Sequence, residues 1–125
     1  MIIKKKDIHI ITNPHTTAIS HIVKNGKNIK YNGFKIKYCK IDDEFCDANL
    51  KFITPNCNFC IFCVIISKKV AKSAVVRNYY KRYFRNEFIK ICNKSIQKRG
   101  ICIVINDIKE IQKNIFNKEF LEIII

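Results

Sequence analysis

Two uninterrupted apolar runs, FCIFCVII at Phe59–Ile66 and ICIVI at Ile101–Ile105, constrain the fold more than any other feature of the sequence. Each run has the length of a β-strand. Because Phe59–Ile66 has no polar position, we expect it to be a central strand that is buried on both faces, and Ile101–Ile105 to be a second buried strand. The 125-residue chain is 48% hydrophobic, which is enough to build a core around such a sheet. We therefore expect one folded domain that spans residues 1–125.

Weaker patterns in the first half predict one helix and two further strands. Apolar residues recur at i, i+3 and i+4 within Thr16–Lys24, which predicts a short helix that the following Asn-Gly pair ends. The alternation FKIKY at Phe34–Tyr38 is typical of a half-buried strand, and Leu50–Ile53 is expected to form another short strand. The first dozen residues alternate too weakly for an assignment.

The second half predicts a helix on each side of the second apolar run. Ser73 is the expected N-cap of a helix that continues to about Asn93, and Gly100 is expected to close it. A last helix is expected from Asp107 to about Leu121, because apolar residues recur there at helical spacing. The expected order is helix, three strands, helix, strand, helix. This order describes a single α+β domain with one central sheet packed by helices.

The chain is strongly basic. Its 24 Lys and Arg residues against 10 Asp and Glu residues give a net charge of +14, for which nucleic acid is the usual partner and an anionic membrane surface the next. No apolar run reaches the roughly 18 residues that span a bilayer, and the first residues lack the core of a signal peptide. Seven cysteines, an odd number and mostly inside apolar runs, favour a reducing compartment. We therefore expect a soluble cytoplasmic protein.

The few arginines of this lysine-rich chain are clustered. Three of the four, Arg77, Arg82 and Arg85, lie in one stretch of helical pattern. On a helix, Arg77, Lys81 and Arg85 form one stripe at i, i+4 and i+8, and Asn78 and Arg82 form a second stripe beside it. The other half of the helix is expected to pack on the sheet through six apolar residues: Val75, Val76, Tyr79, Tyr80, Tyr83 and Phe84.

These stripes are typical of a phosphate-binding surface. The planar guanidinium of arginine binds phosphate oxygens two at a time, whereas like charges at i, i+4 destabilise an isolated helix. Lys68, Lys69 and Lys72 extend the basic surface at the N-terminal side of the helix, where free backbone N–H groups also favour anions. The alternative interpretation is an ordinary solvated basic surface on a very basic protein.

The stretch SKKVAKSAVVRNYYKRYFRNEF at Ser67–Phe88 resembles the signature of the bacterial ribonuclease P protein subunit. That signature reads approximately S-K-K-x…A-V-x-R-N-R-x-K-R-x-x-R-x-x-F. The resemblance implies the element order given above, with a left-handed crossover that the general preference for right-handed connections would not predict. The matching residues are Ser67, Lys68, Lys69, Ala74, Val75, Arg77, Asn78, Lys81, Arg82, Arg85 and Phe88.

The resemblance also implies a function. The holoenzyme of this family removes the 5′ leader of precursor tRNA, and its catalyst is an RNA subunit with bound Mg²⁺. The protein subunit binds this catalytic RNA and the leader, so no catalytic residue is expected in the chain. The implied RNA-binding residues are Lys68, Lys69, Lys72, Arg77, Asn78, Lys81, Arg82 and Arg85. The implied leader-cleft residues are Ile19, Val23 and Phe34.

The chain departs from the family pattern at two places. Tyr79 stands where the family usually has the last residue of an Arg-Asn-Arg triplet, so one RNA contact is expected to be weakened or replaced by stacking. Ile19 and Val23 stand where the family has aromatic residues. Base stacking at those two positions is therefore expected to be lost, whereas the aliphatic side chains can still pack against the leader.

The cysteines and the few acidic residues do not predict a metal or catalytic site. The spacing of Cys57, Cys60 and Cys63 is similar to the start of an iron–sulfur run, but residues three apart on a strand point to opposite faces. Buried thiols are therefore the favoured interpretation. No catalytic role is expected for His9, His15 and His21, or for Asp42-Asp43-Glu44, which is expected to be a turn.

Two other classes of protein share parts of this pattern. A general RNA-binding module, such as a ribosomal-protein-like domain or an RNA chaperone, would share the basic helix and bind RNA without preference for a 5′ leader. A metal-dependent redox or regulatory protein would depend on the cysteines alone.

Overall fold

A computed structural model describes residues 2–5, 7–12, 14, 16–42 and 58–125. Within these residues the strands are β1 Ile2–Lys5, β2 Ile8–Ile11, β3 Lys27–Tyr31, β4 Phe34–Lys40, β5 Phe59–Ile66 and β6 Arg99–Ile105. The α-helices are α1 Thr16–Asn25, α2 Ala74–Ile91 and α3 Lys118–Ile124. Short 3₁₀-helices occur at Lys94–Ile96 and Ile108–Glu110.

All six strands belong to one mixed sheet with the order β1-β2-β5-β6-β4-β3. The central strands β5 and β6 are parallel and are joined through α2, and β2 is parallel to β5. The remaining pairs are antiparallel. The predicted α+β domain with one helix-packed sheet is confirmed, and so is the central position of Phe59–Ile66. The left-handed crossover remains a prediction.

The sheet has a separate core on each face. Along β5 the side chains alternate, so that Cys60 and Phe62 join one core and Ile61 and Cys63 join the other. The α2-side core lies between the sheet, α2 and α3, and contains Phe84, Phe88 and Phe120 among its buried residues. The α1-side core is smaller and is built around Ala18 and Ile22 of α1.

Aromatic rings dominate the α2-side core. Phe62 of β5 stacks on Phe88 of α2 with ring centroids 4.3 Å apart and an interplanar angle of 6°. Phe34 meets Phe84 edge to face at 5.0 Å. Phe116 fits between these rings and α3 with edge-to-face contacts, the shortest of which is 5.0 Å to Phe120. These contacts fix both the position of α2 on the sheet and its rotation about its own axis.

The helix α2 begins where the sequence predicts and ends within two residues of the predicted end at about Asn93. Ser73 is the N-cap, and its side chain accepts a hydrogen bond from the Val76 N–H at 3.4 Å. The helix ends at Ile91 because Cys92 turns to extended backbone, so the prediction that Gly100 closes it is wrong. Gly100 lies inside β6, where a Cβ atom would come within 2.7 Å of the Ile22 side chain. A glycine is needed there for α1 to pack closely on the sheet.

The prediction of one long helix from Asp107 to Leu121 is also wrong. Asp107 caps only the 3₁₀ turn Ile108–Glu110, and its side chain accepts a hydrogen bond from the Lys109 N–H. The chain then continues without helix to Asn114, whose φ is 61°. The Gln112 N–H donates to the carbonyl of Asn32 at 2.9 Å, so this segment bonds to the β3–β4 turn instead of to itself.

Two strand regions were not predicted. β3 pairs with β4 around a turn at Gly33, whose φ is +83°, and its sequence KNIKY is too polar to be identified as a strand. The hairpin β1–β2 extends the sheet beyond β5, and the Lys5 Nζ donates to the carbonyls of Ile89 and Lys90 at the C-terminal end of α2. The predicted strand at Leu50–Ile53 lies outside the described residues.

None of the helices in the described ranges is both long enough and apolar enough to cross a bilayer.

Candidate nucleic-acid interface

The sheet-facing side of α2 differs from the predicted one. Phe84 and Phe88 are buried against the sheet, whereas Val75 and Tyr79 are 76% and 52% exposed. The prediction that Val75 and Tyr79 pack on the sheet is therefore wrong, although Val76, Tyr80 and Tyr83 are half-buried as expected. The reason is that the phenylalanine pair at i, i+4 packs on rings of β4 and β5 and turns the helix by about one residue position.

Arg77 consequently lies near the buried side and holds the loop before α2. Its Nη1 donates to the carbonyls of Ala71 and Lys72, both at 2.8 Å, and the side chain is half-buried. Arg77 is half-buried like Arg85, but its guanidinium is bonded to the loop that carries the N-terminal lysines.

Six other predicted cations remain on the surface around the start and middle of α2. We call this set the α2 cationic face, and its members are Lys68, Lys69, Lys72, Lys81, Arg82 and Arg85. The three lysines lie in the turn and loop that follow β5, where the N–H groups of Val70 and Ala71 both donate to the Ser67 carbonyl at 3.1 Å. Arg85 is half-buried and the other five side chains are exposed, as is that of Asn78.

No carboxylate neutralises this surface within the residues that the structure describes. Among the described residues, an ion pair joins the Lys90 Nζ to the Glu87 carboxylate at 3.1 Å, outside this face and near the other end of α2. A group of six cations without anionic partners repels itself, and binding to phosphates would relieve that repulsion. The surface is thus electrostatically suited to an RNA backbone.

A groove runs beside the α2 cationic face. It has a volume of about 480 Å³, and its floor is the C-terminal part of β5, Phe62–Ile66. Lys81 and Arg85 line the α2 wall, whereas Ile19 and the segment with Thr12 and Pro14 line the opposite wall. We call it the β5-edge groove. It combines an apolar floor with cations on one side, which matches the bases and phosphates of a single strand.

The floor of this groove lies where the pairing of β2 with β5 stops. Among the described residues, β2 pairs with β5 at Phe59–Ile61, whereas β6 pairs with β5 from Ile61 to Ile66 on the other side. The groove therefore lies beside the last residues of β5, beyond the end of the described β2–β5 pairing.

Only one of the three predicted leader-cleft residues lines the groove. Ile19 lies on its wall. Val23 packs beside the α1-side core, and its carbonyl accepts a hydrogen bond from the Lys37 Nζ at 3.3 Å. Phe34 is buried in the α2-side core, where its ring stacks on the ring of Tyr31 with centroids 5.2 Å apart. The end of the FCIFCVII run, which the prediction treated only as core, supplies the floor instead.

The cysteines of β5 point to opposite faces, as predicted. The Cys60 Sγ lies 3.8 Å from the Cys92 Sγ in the α2-side core, whereas Cys63 belongs to the α1-side core with Cys102. The hydrogen bond with Cys102, followed by burial, raises the pKa of the Cys63 thiol far above its ordinary value. Cys57 lies outside the described residues. Among the described residues no three His, Cys, Asp or Glu side chains are grouped as metal ligands.

The predicted acidic turn and the histidines are only partly described. Asp42 is exposed and follows β4, and the next two acidic residues lie outside the described ranges. His9 is half-buried in β2, and the ring of His21 lies 3.3 Å from the Asn25 amide on α1. His15 is outside the described residues. Of the described groups, Asp42, His9 and His21 do not line the β5-edge groove.

Comparison with known proteins identifies the family. The family model described as Ribonuclease P matches residues 14–124, so that the β1–β2 hairpin precedes the matched segment. No match was found among curated proteins.

Two solved structures share the fold. The RNase P protein of Staphylococcus aureus has a TM-score of 0.55 and 22% identity over 76% of this chain and 73% of its own. The RNase P protein of Thermotoga maritima, in complex with 1-(4-fluorophenyl)-2-thiourea, has a TM-score of 0.51 and 17% identity over 86% and 76%. With a family model that matches nearly its whole length, the chain belongs to the ribonuclease P protein family.

Proposed function

We propose that the chain is the protein subunit of a ribonuclease P, the ribonucleoprotein endoribonuclease that removes the 5′ leader from precursor tRNA. Membership of the family supports the subunit role. The observation that carries the proposal is the α2 cationic face, six cations without carboxylate partners within the described residues, beside a groove with an apolar floor. We also infer a reducing, cytoplasmic location, which the free thiols of Cys39, Cys60, Cys63, Cys92 and Cys102 support.

In this proposal the α2 cationic face binds phosphates of the catalytic RNA. Successive members of a helix stripe lie about 6 Å apart along the axis, close to the phosphate spacing of a nucleic-acid strand. Arg82 is exposed and offers a planar fork for phosphate oxygens, while Lys68 and Lys69 act as point charges on the turn. Asn78 adds an exposed amide beside Arg82.

The β5-edge groove takes the single-stranded leader. Lys81 and Arg85 on one wall face phosphates, and the aliphatic side chains of Ile19, Val64 and Ile65 pack against bases. A single strand offers both kinds of surface at once, whereas the bases of a duplex are hidden in its stack. Because Ile19 is aliphatic, packing replaces aromatic stacking at this position.

The chemistry belongs to the RNA subunit in this proposal. Mg²⁺ prefers carboxylates and phosphate oxygens as ligands, and the groove walls carry cations and apolar groups instead. The protein subunit holds the leader and neutralises phosphate repulsion, so the metal ions are assigned mainly to the RNA. No residue of the chain is proposed to be catalytic.

Reconstitution with a bacterial ribonuclease P RNA tests the proposal. At low Mg²⁺ concentration, the chain should stimulate cleavage of precursor tRNA, because its cations replace part of the counterion requirement. Lys81→Ala combined with Arg85→Ala should lose most of this stimulation. Lys118→Ala, at an exposed position of α3, is the matched control and should keep it. RNA binding without stimulation or leader preference would instead support a general RNA-binding module.

A further inference from the structure

The exposed face of α2 carries two large apolar side chains among polar ones. Val75 is 76% exposed and Tyr79 is 52% exposed, although both lie on the helix that packs most of the core aromatics. They are one turn apart, at i and i+4, and Arg82 and Asn86 continue the same stripe at i+7 and i+11. All four positions are exposed, so the core does not explain the apolar pair.

The ring of Tyr79 is held in place. It meets the ring of Tyr80 edge to face, with centroids 5.1 Å apart and an interplanar angle of 86°. Tyr80 is half-buried and packs against the α2-side core, so it supports the exposed ring from below. An exposed aromatic ring that is already oriented loses little conformational entropy when a flat partner covers it.

Charge decides which partner fits this surface. Tyr79 is flanked on the helix by Arg82, which belongs to the α2 cationic face, and by Asn78, which adjoins that face. A second copy of the chain would bring the same cations together and would carry the same net charge of +14. A nucleic-acid strand offers phosphates to the cations and a flat base to the ring.

We propose that Val75 and Tyr79 form a stacking patch for one unpaired base of the partner RNA. The base covers the open face of the Tyr79 ring and contacts Val75, while Arg82 binds a neighbouring phosphate. The inference rests on the proposed function, because it assumes that α2 faces the RNA. It adds a contact whose strength does not depend on charge, at a position where the family has a cation.

A salt series with substitutions at Tyr79 separates stacking from charge. The probe is a bacterial ribonuclease P RNA, and the measured quantity is its Kd at several salt concentrations. Tyr79→Ala should weaken binding by about 5- to 150-fold at every salt concentration without a change in the salt slope, since a stacked base contributes about 1–3 kcal/mol. Tyr79→Phe should bind like the unsubstituted protein. Arg82→Ala should instead reduce the slope by about 0.7 to 0.9.

A fluorescence measurement reports the stacking itself. The chain has no Trp, so Tyr79→Trp introduces a single tryptophan at the patch. Binding of the RNA should quench its emission, because a base stacks on the indole. Heparin, a polyanion without bases, should bind the same variant without comparable quenching.

The outcomes distinguish this inference from the proposed function. If the unsubstituted protein binds the RNA but Tyr79→Ala binds equally well, the stacking patch is wrong and the subunit role stands. Equal weakening by Tyr79→Phe and Tyr79→Ala would also overturn the patch, because the lost group would be the hydroxyl. If the unsubstituted protein fails to bind the RNA, both proposals fail.

Discussion

The two sides of α2 differ in what holds them in place. The sheet-facing side is defined by Phe84 and Phe88, which are buried against rings of β4 and β5. The opposite side carries exposed cations and a tyrosine, and within the described residues the members of the α2 cationic face have no carboxylate partners. The residues expected to stabilise the fold and those expected to bind RNA therefore lie on different sides of one helix. Substitutions on one side are expected to change unfolding, and those on the other to change RNA affinity.

The largest expected effect is on the sheet-facing side. Phe88→Ala removes a ring that stacks on Phe62 and is fully buried, so the free energy of unfolding should fall by about 3–5 kcal/mol. Urea unfolding followed by circular dichroism measures this change. Tyr79→Ala is the matched control on the same helix and should change stability by less than about 1 kcal/mol. Similar values for the two variants would contradict the described rotation of α2.

The next largest effect is expected for the two cations on the wall of the β5-edge groove. Lys81→Ala combined with Arg85→Ala should weaken RNA binding by about 10- to 100-fold at moderate salt, because two phosphate contacts are lost. The slope of log K against log[salt] should become shallower by about 1.4 to 1.8. Unfolding should be nearly unchanged. A large loss of stability would mean that these side chains support the core.

Arg77 is expected to behave unlike its neighbours in sequence. Its guanidinium donates to the carbonyls of Ala71 and Lys72, so Arg77→Ala should lower stability by about 1–2 kcal/mol and loosen the loop before α2. Arg82→Ala, at an exposed position, should leave stability unchanged and weaken RNA binding. Urea unfolding and RNA binding, measured for both variants, test this contrast. If Arg77→Ala were as stable as the unsubstituted protein, the two hydrogen bonds would not contribute to folding stability.

The smallest expected effect is an increase in leader preference caused by a substitution in the groove. Ile19→Phe places an aromatic ring on the wall opposite Lys81 and should increase the preference for precursor tRNA over mature tRNA a few-fold, because a base can stack on it. Val23→Phe is the control, since Val23 packs against the α1-side core. A gain from the Val23 substitution and none from Ile19 would contradict the position of the groove.

The sequence predicts the parts of the fold that local patterns determine. The runs at Phe59–Ile66 and Ile101–Ile105 form strands because short continuous apolar runs are typical of a sheet buried on both faces, and Ser73 marks the start of α2 through its cap. The polar strand β3 is not predicted, because it lies at a sheet edge where pairing with β4 decides its conformation. The helical spacing of apolar residues after Asp107 wrongly predicts a long helix for a similar reason. The conformation depends on a distant partner, because the Gln112 N–H donates to the Asn32 carbonyl.

The candidate site is predicted in composition but not in geometry. The cations of α2 follow from the sequence, whereas the rotation of the helix depends on how Phe84 and Phe88 fit rings of distant strands. Arg77 is for that reason bonded to loop carbonyls, whereas the burial of Phe34 follows from its position on β4. The position of the groove depends on where the described pairing of β2 with β5 stops, which no local pattern near Phe62–Ile66 indicates.

Leader discrimination by the reconstituted enzyme tests whether the β5-edge groove binds the 5′ leader. The measurement compares Kd for precursor tRNA with a leader of several nucleotides, precursor tRNA with a single-nucleotide leader, and mature tRNA. We expect a clear preference for the longer leader, most of which disappears with one nucleotide and with the Lys81 and Arg85 double substitution. Lys118→Ala should retain the preference. An assembled enzyme that binds all three RNAs equally, or whose preference survives the double substitution, would contradict the assignment of the β5-edge groove to the leader.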